Sequence, residues 1–122
     1  MNANDLVESY FKLWGTTDDN ERHAYATKLF TENAVHYAAP ANEKFSGIDQ
    51  IEANIARVNT ENIQKAGLKF RAGGFVPNHN SVQVQWEVTD PGGAKVLGAG
   101  RDFLLLDEDG RIKALYMFML NA

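Results

Sequence analysis

Apolar residues change their spacing about halfway along the chain, and this change limits the fold more than any other feature. In the first half they recur every three or four residues, as on one face of a helix. Three helices are predicted: one capped by Asn4 or Asp5 and ending at Gly15, one starting within residues 17–21, and one from Ser46 to Gly67. In the second half apolar and polar residues alternate, which is typical of half-buried strands.

Helices followed by a meander of strands predict an α+β fold. We expect one domain over residues 1–122, with the helices packed on a curved antiparallel sheet that is mixed at its edge. The predicted strands are residues 34–37, 68–76, 82–89, 95–106 and 112–120. Within the second of these, Gly73 and Gly74 predict a bulge or a sharp bend.

Charge and composition exclude several classes of function. The net charge is −4 and no Lys/Arg cluster is present, which argues against a nucleic acid or an anionic membrane surface as partner. The chain has no cysteine, and its three histidines are far apart, so we expect no disulfide and no metal site. No phosphate-binding or dinucleotide-binding motif is visible, so no cofactor is expected. No signal peptide and no apolar run of roughly 20 residues is visible, so a cytoplasmic protein is predicted.

Asp102 is the residue that most clearly suggests a site. It lies in the predicted strand 95–106, and period two places it on one face with Gly98, Gly100 and Leu104. Burying a carboxylate is costly unless it is paired, hydrogen-bonded or protonated. Asp102 is therefore a candidate acid/base; the alternative is an ion pair, for example with Arg71. The two glycines leave room for a ligand or allow the strand to bend.

The last predicted strand is apolar on both faces. Ile112, Tyr116 and Phe118 are assigned to one face, and Leu115, Met117 and Met119 to the other. A sheet with one solvated face would not show this pattern, so something is expected to cover the second face. A homodimer that packs sheet against sheet is the prediction.

Five short segments, taken in order, resemble the nuclear transport factor 2-like superfamily, and most closely its SnoaL-like polyketide cyclase and ketosteroid isomerase-like branch. The segments are YFKLWG at 10–15, LFTENAV at 29–35, FSGID at 45–49, GRDF at 100–103 and DGRI at 109–112. The resemblance implies a cone in which the helices and a strongly curved sheet enclose one deep apolar pocket.

The resemblance also implies roles for individual residues. Ketosteroid isomerase uses a carboxylate base, with a tyrosine and a protonated aspartic acid as hydrogen-bond donors to an oxyanion. By similarity, Tyr10 matches that tyrosine and Asp102 the aspartic acid. The base of the family precedes a proline, but the corresponding stretch here, residues 36–40, has no carboxylate. His36 is the candidate replacement; the alternatives are a core aromatic for Tyr10 and a structural histidine for His36.

Further residues are predicted to form the wall of the pocket around a small apolar molecule: Trp14, Val84, Trp86, Val88, Met117 and Met119. The two methionines suit either the ligand wall or the dimer face. The predicted function is proton transfer next to a carbonyl group, as in an isomerase, a cyclase or a dehydratase. A protein that only binds a small molecule, or a dimeric interaction module, is the alternative.

Overall fold

A computed structural model of the chain describes residues 2–120. Its α-helices are α1 (Ala3–Gly15), α2 (Asp19–Leu29) and α3 (Ile48–Val58), and α3 continues as a π-helical segment, Asn59–Lys65. The strands are β1 (Phe30–Ala39), β2 (Glu43–Ser46), β3 (Lys69–Asn78), β4 (Ser81–Thr89), β5 (Val96–Leu106) and β6 (Ile112–Leu120). No helix within this range is long and apolar enough to cross a membrane.

The six strands form one mixed sheet in the order β2-β1-β6-β5-β4-β3. All neighbours are antiparallel except β1 and β6, which run parallel. The α+β class predicted from the sequence is confirmed. The parallel pair, β1 and β6, makes the sheet mixed and lies one strand in from the edge formed by β2.

The helix starts follow local hydrogen bonding. The Asn2 side chain accepts a hydrogen bond from the backbone N–H of Asp5 at 2.8 Å, so α1 is capped two or three residues before the predicted position. Asp18 caps α2 by accepting a hydrogen bond from the Glu21 N–H at 2.9 Å, within the predicted start region. Both are standard N-cap interactions, which satisfy N–H groups at the start of a helix.

The first strand is longer than predicted, and it pairs with a strand that the sequence analysis missed. β1 begins directly after α2 and changes register between Phe30 and Val35. β2 then folds back on it, with His36 opposite Phe45. β2 has only four residues and no clear apolar alternation, so its sequence carries little strand signal.

Two further sequence features have the predicted effect. β3 shifts its register against β4 between Ala72 and Phe75, at the two glycines expected to form a bulge. Gly67 adopts a positive φ of 71° just after the π-helical segment, in the backbone region that glycine enters without steric cost. The π-helical segment is attached to α1 by a hydrogen bond. The Asn59 side-chain amide donates to the Trp14 carbonyl oxygen at 2.9 Å.

One prediction for β6 is wrong. Leu105 pairs with Ala114 but Leu106 pairs with Ile112, so a register shift interrupts the alternation. As a result Ile112 and Leu115 are both fully buried in the core, whereas Ile112 had been placed on the face of Tyr116 and Phe118. Those two aromatic side chains are 38% and 43% exposed.

Candidate functional site

A cavity of about 490 Å³ lies between the helices and the sheet. Its wall includes residues of α1, α3, the π-helical segment and strands β1 and β3–β6. Of the nine residues named from the sequence as site residues, eight line it: Tyr10, Trp14, His36, Trp86, Val88, Asp102, Met117 and Met119. The concave side of the sheet therefore carries the site, and the side of β6 with Met117 and Met119 faces it.

Val84 is the exception, and its predicted contact with a ligand is wrong. It lies opposite Asp102 on β4, is 0% exposed and is packed in the hydrophobic core. The core covers one part of the concave face and the cavity covers the other. Val88, two side chains further along the same face, reaches the cavity.

Asp102 is held by two hydrogen bonds inside the protein. The Tyr10 hydroxyl donates to Oδ2 at 2.6 Å, and the Trp86 indole Nε1–H donates to Oδ1 at 2.8 Å. The residue is 2% exposed. Among residues 2–120 no cation pairs with it, and Arg71 instead pairs with Glu87 at 2.9 Å. The ion pair with Arg71 that was the alternative for Asp102 is therefore absent from residues 2–120.

Burial dominates the electrostatics of this group. It raises the pKa of Asp102 from its ordinary value to about 6, although the hydrogen bonds from Tyr10 and Trp86 lower the pKa in part. Burial, and then the charge of Asp102, raise the pKa of Tyr10 well above its usual range. Tyr10 is thus a neutral phenol that donates to a carboxylate able to gain or lose a proton near neutral pH.

The part played by Trp86 was missed at the sequence level, where it was assigned only to the apolar wall. Trp86 is paired with Gly100, two residues before Asp102 on the same face of β5. A Cβ atom at Gly100 would lie 2.1 Å from Trp86 Cζ2, so the indole ring lies directly over the glycine. The space above Gly100 is therefore filled by Trp86, which brings the indole nitrogen to the carboxylate.

His36 and Trp14 form a second polar part of the wall. Their rings meet edge to face with centroids 5.9 Å apart. Within the described chain, Trp14 Nε1 and both ring nitrogens of His36 are buried and have no hydrogen-bond partner. Burial lowers the pKa of His36 to about 4, so its imidazole is neutral at physiological pH.

A polar rim from α3 and the π-helical segment completes the cavity. Arg57 donates hydrogen bonds to Asn54 Oδ1 at 2.7 Å and to Glu61 Oε2 at 3.2 Å. These three residues line the cavity but were not singled out from the sequence, because only the apolar face of this helix has a periodic pattern. No group of three or more His, Cys, Asp or Glu side chains in residues 2–120 is arranged to hold a metal ion.

Solved structures with the same fold exist at low sequence identity. A provisionally assigned isomerase of the SnoaL-like family from Agrobacterium tumefaciens superposes with a TM-score of 0.81 at 20% identity, covering 96% of both chains. An NTF2-like protein of unknown function from Exiguobacterium sp. 255-15 gives a TM-score of 0.74 at 23% identity, covering 96% of this chain and 99% of the other.

A provisionally assigned ketosteroid isomerase from Kribbella flavida gives a TM-score of 0.71 at 17% identity, covering 97% of this chain and 77% of the other. No protein-family model matches the sequence, and no curated protein matches it either. The chain therefore has the fold of the nuclear transport factor 2-like superfamily, as its short motifs predicted. At these identities the likeness is one of fold.

Proposed function

We propose that this protein is a cofactor-independent isomerase, cyclase or dehydratase that moves a proton next to the carbonyl group of a small apolar compound. The observation that carries the proposal is the Asp102 carboxyl group. It lines an apolar cavity, it is oriented by Tyr10 and Trp86, and its pKa is about 6. A group that titrates near the working pH is efficient both as a base and as an acid.

The proposed reaction uses both protonation states of Asp102. Ionised Asp102 takes a proton from the carbon beside the carbonyl, and the C–H electron pair moves into an enolate. The protonated acid then returns the proton to a different atom, or to a leaving oxygen in a dehydration. Tyr10 and Trp86 keep the carboxyl group in place through both steps, so they act as positioning residues.

Tyr10 and His36 take roles that differ from the family pattern. The Tyr10 hydroxyl donates to Asp102, so in this arrangement it does not donate to a ligand. An assisting-base role for His36 remains a prediction from the sequence. A neutral imidazole whose pKa is about 4 is a weak base, so hydrogen bonding fits His36 better than proton removal.

Hydrogen–deuterium exchange on a simple ketone tests the proposal before any substrate is known. With 1-tetralone in D2O, NMR measures the exchange of the protons on the carbon next to the carbonyl. We expect the protein to accelerate exchange, and Asp102→Asn to lower the acceleration by roughly 100-fold or more. Glu108→Gln, which neutralises an exposed carboxylate in the β5–β6 turn, is the matched control. Equal rates for Asp102→Asn and the unmodified protein would reject the role of Asp102.

A protein that only binds a small molecule is the second candidate. It is favoured by the surroundings of Asp102, whose hydrogen-bond partners are an indole and a neutral phenol and include no second titrating group. If 1-tetralone binds in the cavity but its protons exchange no faster than in buffer, this second function is the correct one.

We also propose that the outer face of the sheet pairs with a second copy of the chain. Four aromatic side chains form a cluster there: Tyr37 stacks on Tyr116 at 4.8 Å, and Phe103 meets Phe118 edge to face at 5.7 Å. Sedimentation at micromolar concentration should give the mass of a dimer. A monomer that persists at these concentrations would contradict the proposal.

A further inference from the structure

Among residues 2–120, the buried side-chain nitrogen and oxygen atoms without a hydrogen-bond partner are those of Trp14 and His36. A buried N–H without an acceptor is costly, and in native proteins it calls for an explanation. The Tyr10 hydroxyl oxygen lies near enough to the Trp14 indole N–H for the indole to lower the pKa of Tyr10 in part, but the two groups do not reach hydrogen-bonding geometry. Phe45 lies against His36 with ring centroids 5.5 Å apart, and Tyr10 meets Trp14 edge to face at 6.3 Å while its hydroxyl is bonded to Asp102.

These nitrogens lie in the same cavity as Asp102 and close to it. Trp14 follows Tyr10 by one helical turn, and Tyr10 contacts the carboxylate directly. Along the sheet, Asp102 pairs with Met117, and Met117 pairs with Ala38, two residues beyond His36. Two strand spacings amount to roughly 10 Å between backbones. Asp102, Trp14 and His36 therefore line one cavity of about 490 Å³, a volume that can hold a small ketone.

We propose that Trp14 and His36 receive the carbonyl oxygen of the substrate, with the indole N–H and one imidazole N–H as donors. The inference rests on the proposed function, since it concerns the carbonyl group beside the carbon that Asp102 deprotonates. A carbonyl oxygen accepts two hydrogen bonds and gains negative charge as the enolate forms, so two donors stabilise that charge. The nitrogens are closed off from solvent, so a small rotation of either ring accompanies binding.

Nuclear magnetic resonance can observe the Trp14 donor directly. The chain has two tryptophans, so it gives two indole N–H signals, and Trp14→Phe assigns them. The probes are 1-tetralone and tetralin, which share a carbon skeleton and differ in the carbonyl oxygen. We expect 1-tetralone to move the Trp14 signal downfield and tetralin to leave it nearly unchanged. The Trp86 signal, already bonded to Asp102, should move less. Identical responses to the two probes would overturn the inference.

Variants then separate this inference from the proposed function. Trp14→Phe should weaken binding of 1-tetralone roughly threefold to tenfold, the worth of one hydrogen bond, and change tetralin binding less than twofold. An equal loss for both probes would show that Trp14 contributes only shape, which rejects the donor role. If Trp14→Phe does not fold, Trp86→Phe assigns the two indole signals instead, and the titration of the unmodified protein decides the question.

Asp102→Asn provides the second arm. It should lower the acceleration of proton exchange on 1-tetralone by roughly 100-fold or more, while the downfield movement of the Trp14 signal persists. If exchange continues in Asp102→Asn, the proposed function fails, and a ketone-dependent Trp14 signal would still establish the oxygen-binding position. If the ketone leaves the Trp14 signal unchanged while exchange requires Asp102, the inference fails alone.

Discussion

Two polar parts of the cavity wall, one around Asp102 and one around Trp14 and His36, differ in how completely they are hydrogen-bonded. At Asp102 the carboxylate oxygens, the Tyr10 hydroxyl and the Trp86 nitrogen all have partners. At Trp14 and His36, three buried nitrogens have none among residues 2–120. The first part is hydrogen-bonded within the protein, whereas the second has no partner there and is the part to which we assign the carbonyl oxygen of a ligand. Removing polar atoms should therefore destabilise the first part and spare the second.

The largest effect is expected from Gly100→Ala. The added Cβ would lie 2.1 Å from Trp86 Cζ2, so the indole must leave its place and lose its bond to Asp102. Overpacking and a lost charged hydrogen bond together should lower the free energy of unfolding by about 3 kcal/mol or more. Gly98→Ala is the matched control, because its Cβ would make only a tight contact, 3.2 Å from Val88 Cγ1, and would not displace Trp86. Urea unfolding at pH 7 measures both, and equal losses would show that Trp86 is not fixed by Gly100.

The next effect is on the pH dependence of stability. The pKa of Asp102 is about 6 in the folded protein, above its ordinary value, so the folded state binds more protons between about pH 4 and 6. This group's stabilising contribution is thus complete at low pH and is lost as the pH rises through 6. Asp102→Asn removes that dependence. As the pH rises from 4 to 8, the free energy of unfolding of the variant should therefore increase by about 2–3 kcal/mol relative to that of the unmodified protein. A constant difference across this range in urea unfolding would contradict the raised pKa.

Removing one donor from Asp102 should change its titration more moderately. Tyr10→Phe and Trp86→Phe each delete a hydrogen bond that lowers the pKa of Asp102, so each should raise that pKa above 6. Losing one hydrogen bond to the charged carboxylate should raise its pKa by about one to two units. Carboxyl ¹³C resonances measured against pH test this, and His36→Phe is the control because it does not touch Asp102. An unchanged pKa in both donor variants would mean that these bonds do not select the ionised form.

The smallest effect is expected at the unpartnered part of the wall. His36→Phe removes two buried nitrogens that have no partner, and the adjoining cavity has room for the larger ring. The free energy of unfolding should change by less than about 1 kcal/mol, in the stabilising direction. Thermal unfolding beside Tyr10→Phe, which removes a bonded hydroxyl, gives the comparison. Similar losses in the two variants would remove the contrast between the two parts of the wall.

Sequence periodicity was sufficient to predict the fold class and the direction in which several side chains point, whereas the pocket itself was predicted from the family resemblance. The alternation along β4 and β5 placed Trp86 and Asp102 on one face, and the stripe of α1 placed Tyr10 inward. These predictions succeed because each depends on the residues of one element and on a fixed period. The short motifs added the fold of the nuclear transport factor 2-like superfamily, which solved structures share.

The remaining features depend on contacts between elements. Val84 and Val88 share one face of β4, and only the position of the helices decides that the first lies in the core and the second in the cavity. The bond from Trp86 to Asp102 requires the register of β4 on β5, and the burial of Ile112 requires a shift in β6. No single-strand pattern contains this information.

The position of β6 has a consequence for how the protein can be divided. This strand joins β1 and β2 to the other three strands, although β1 and β6 are separated by more than seventy residues of chain. Neither of two fragments cut between β4 and β5 should therefore hold a cavity when produced alone, because His36 and Asp102 would be on different fragments. Mixing two fragments cut in the Asp90–Gly93 turn should restore ligand binding only when both are present.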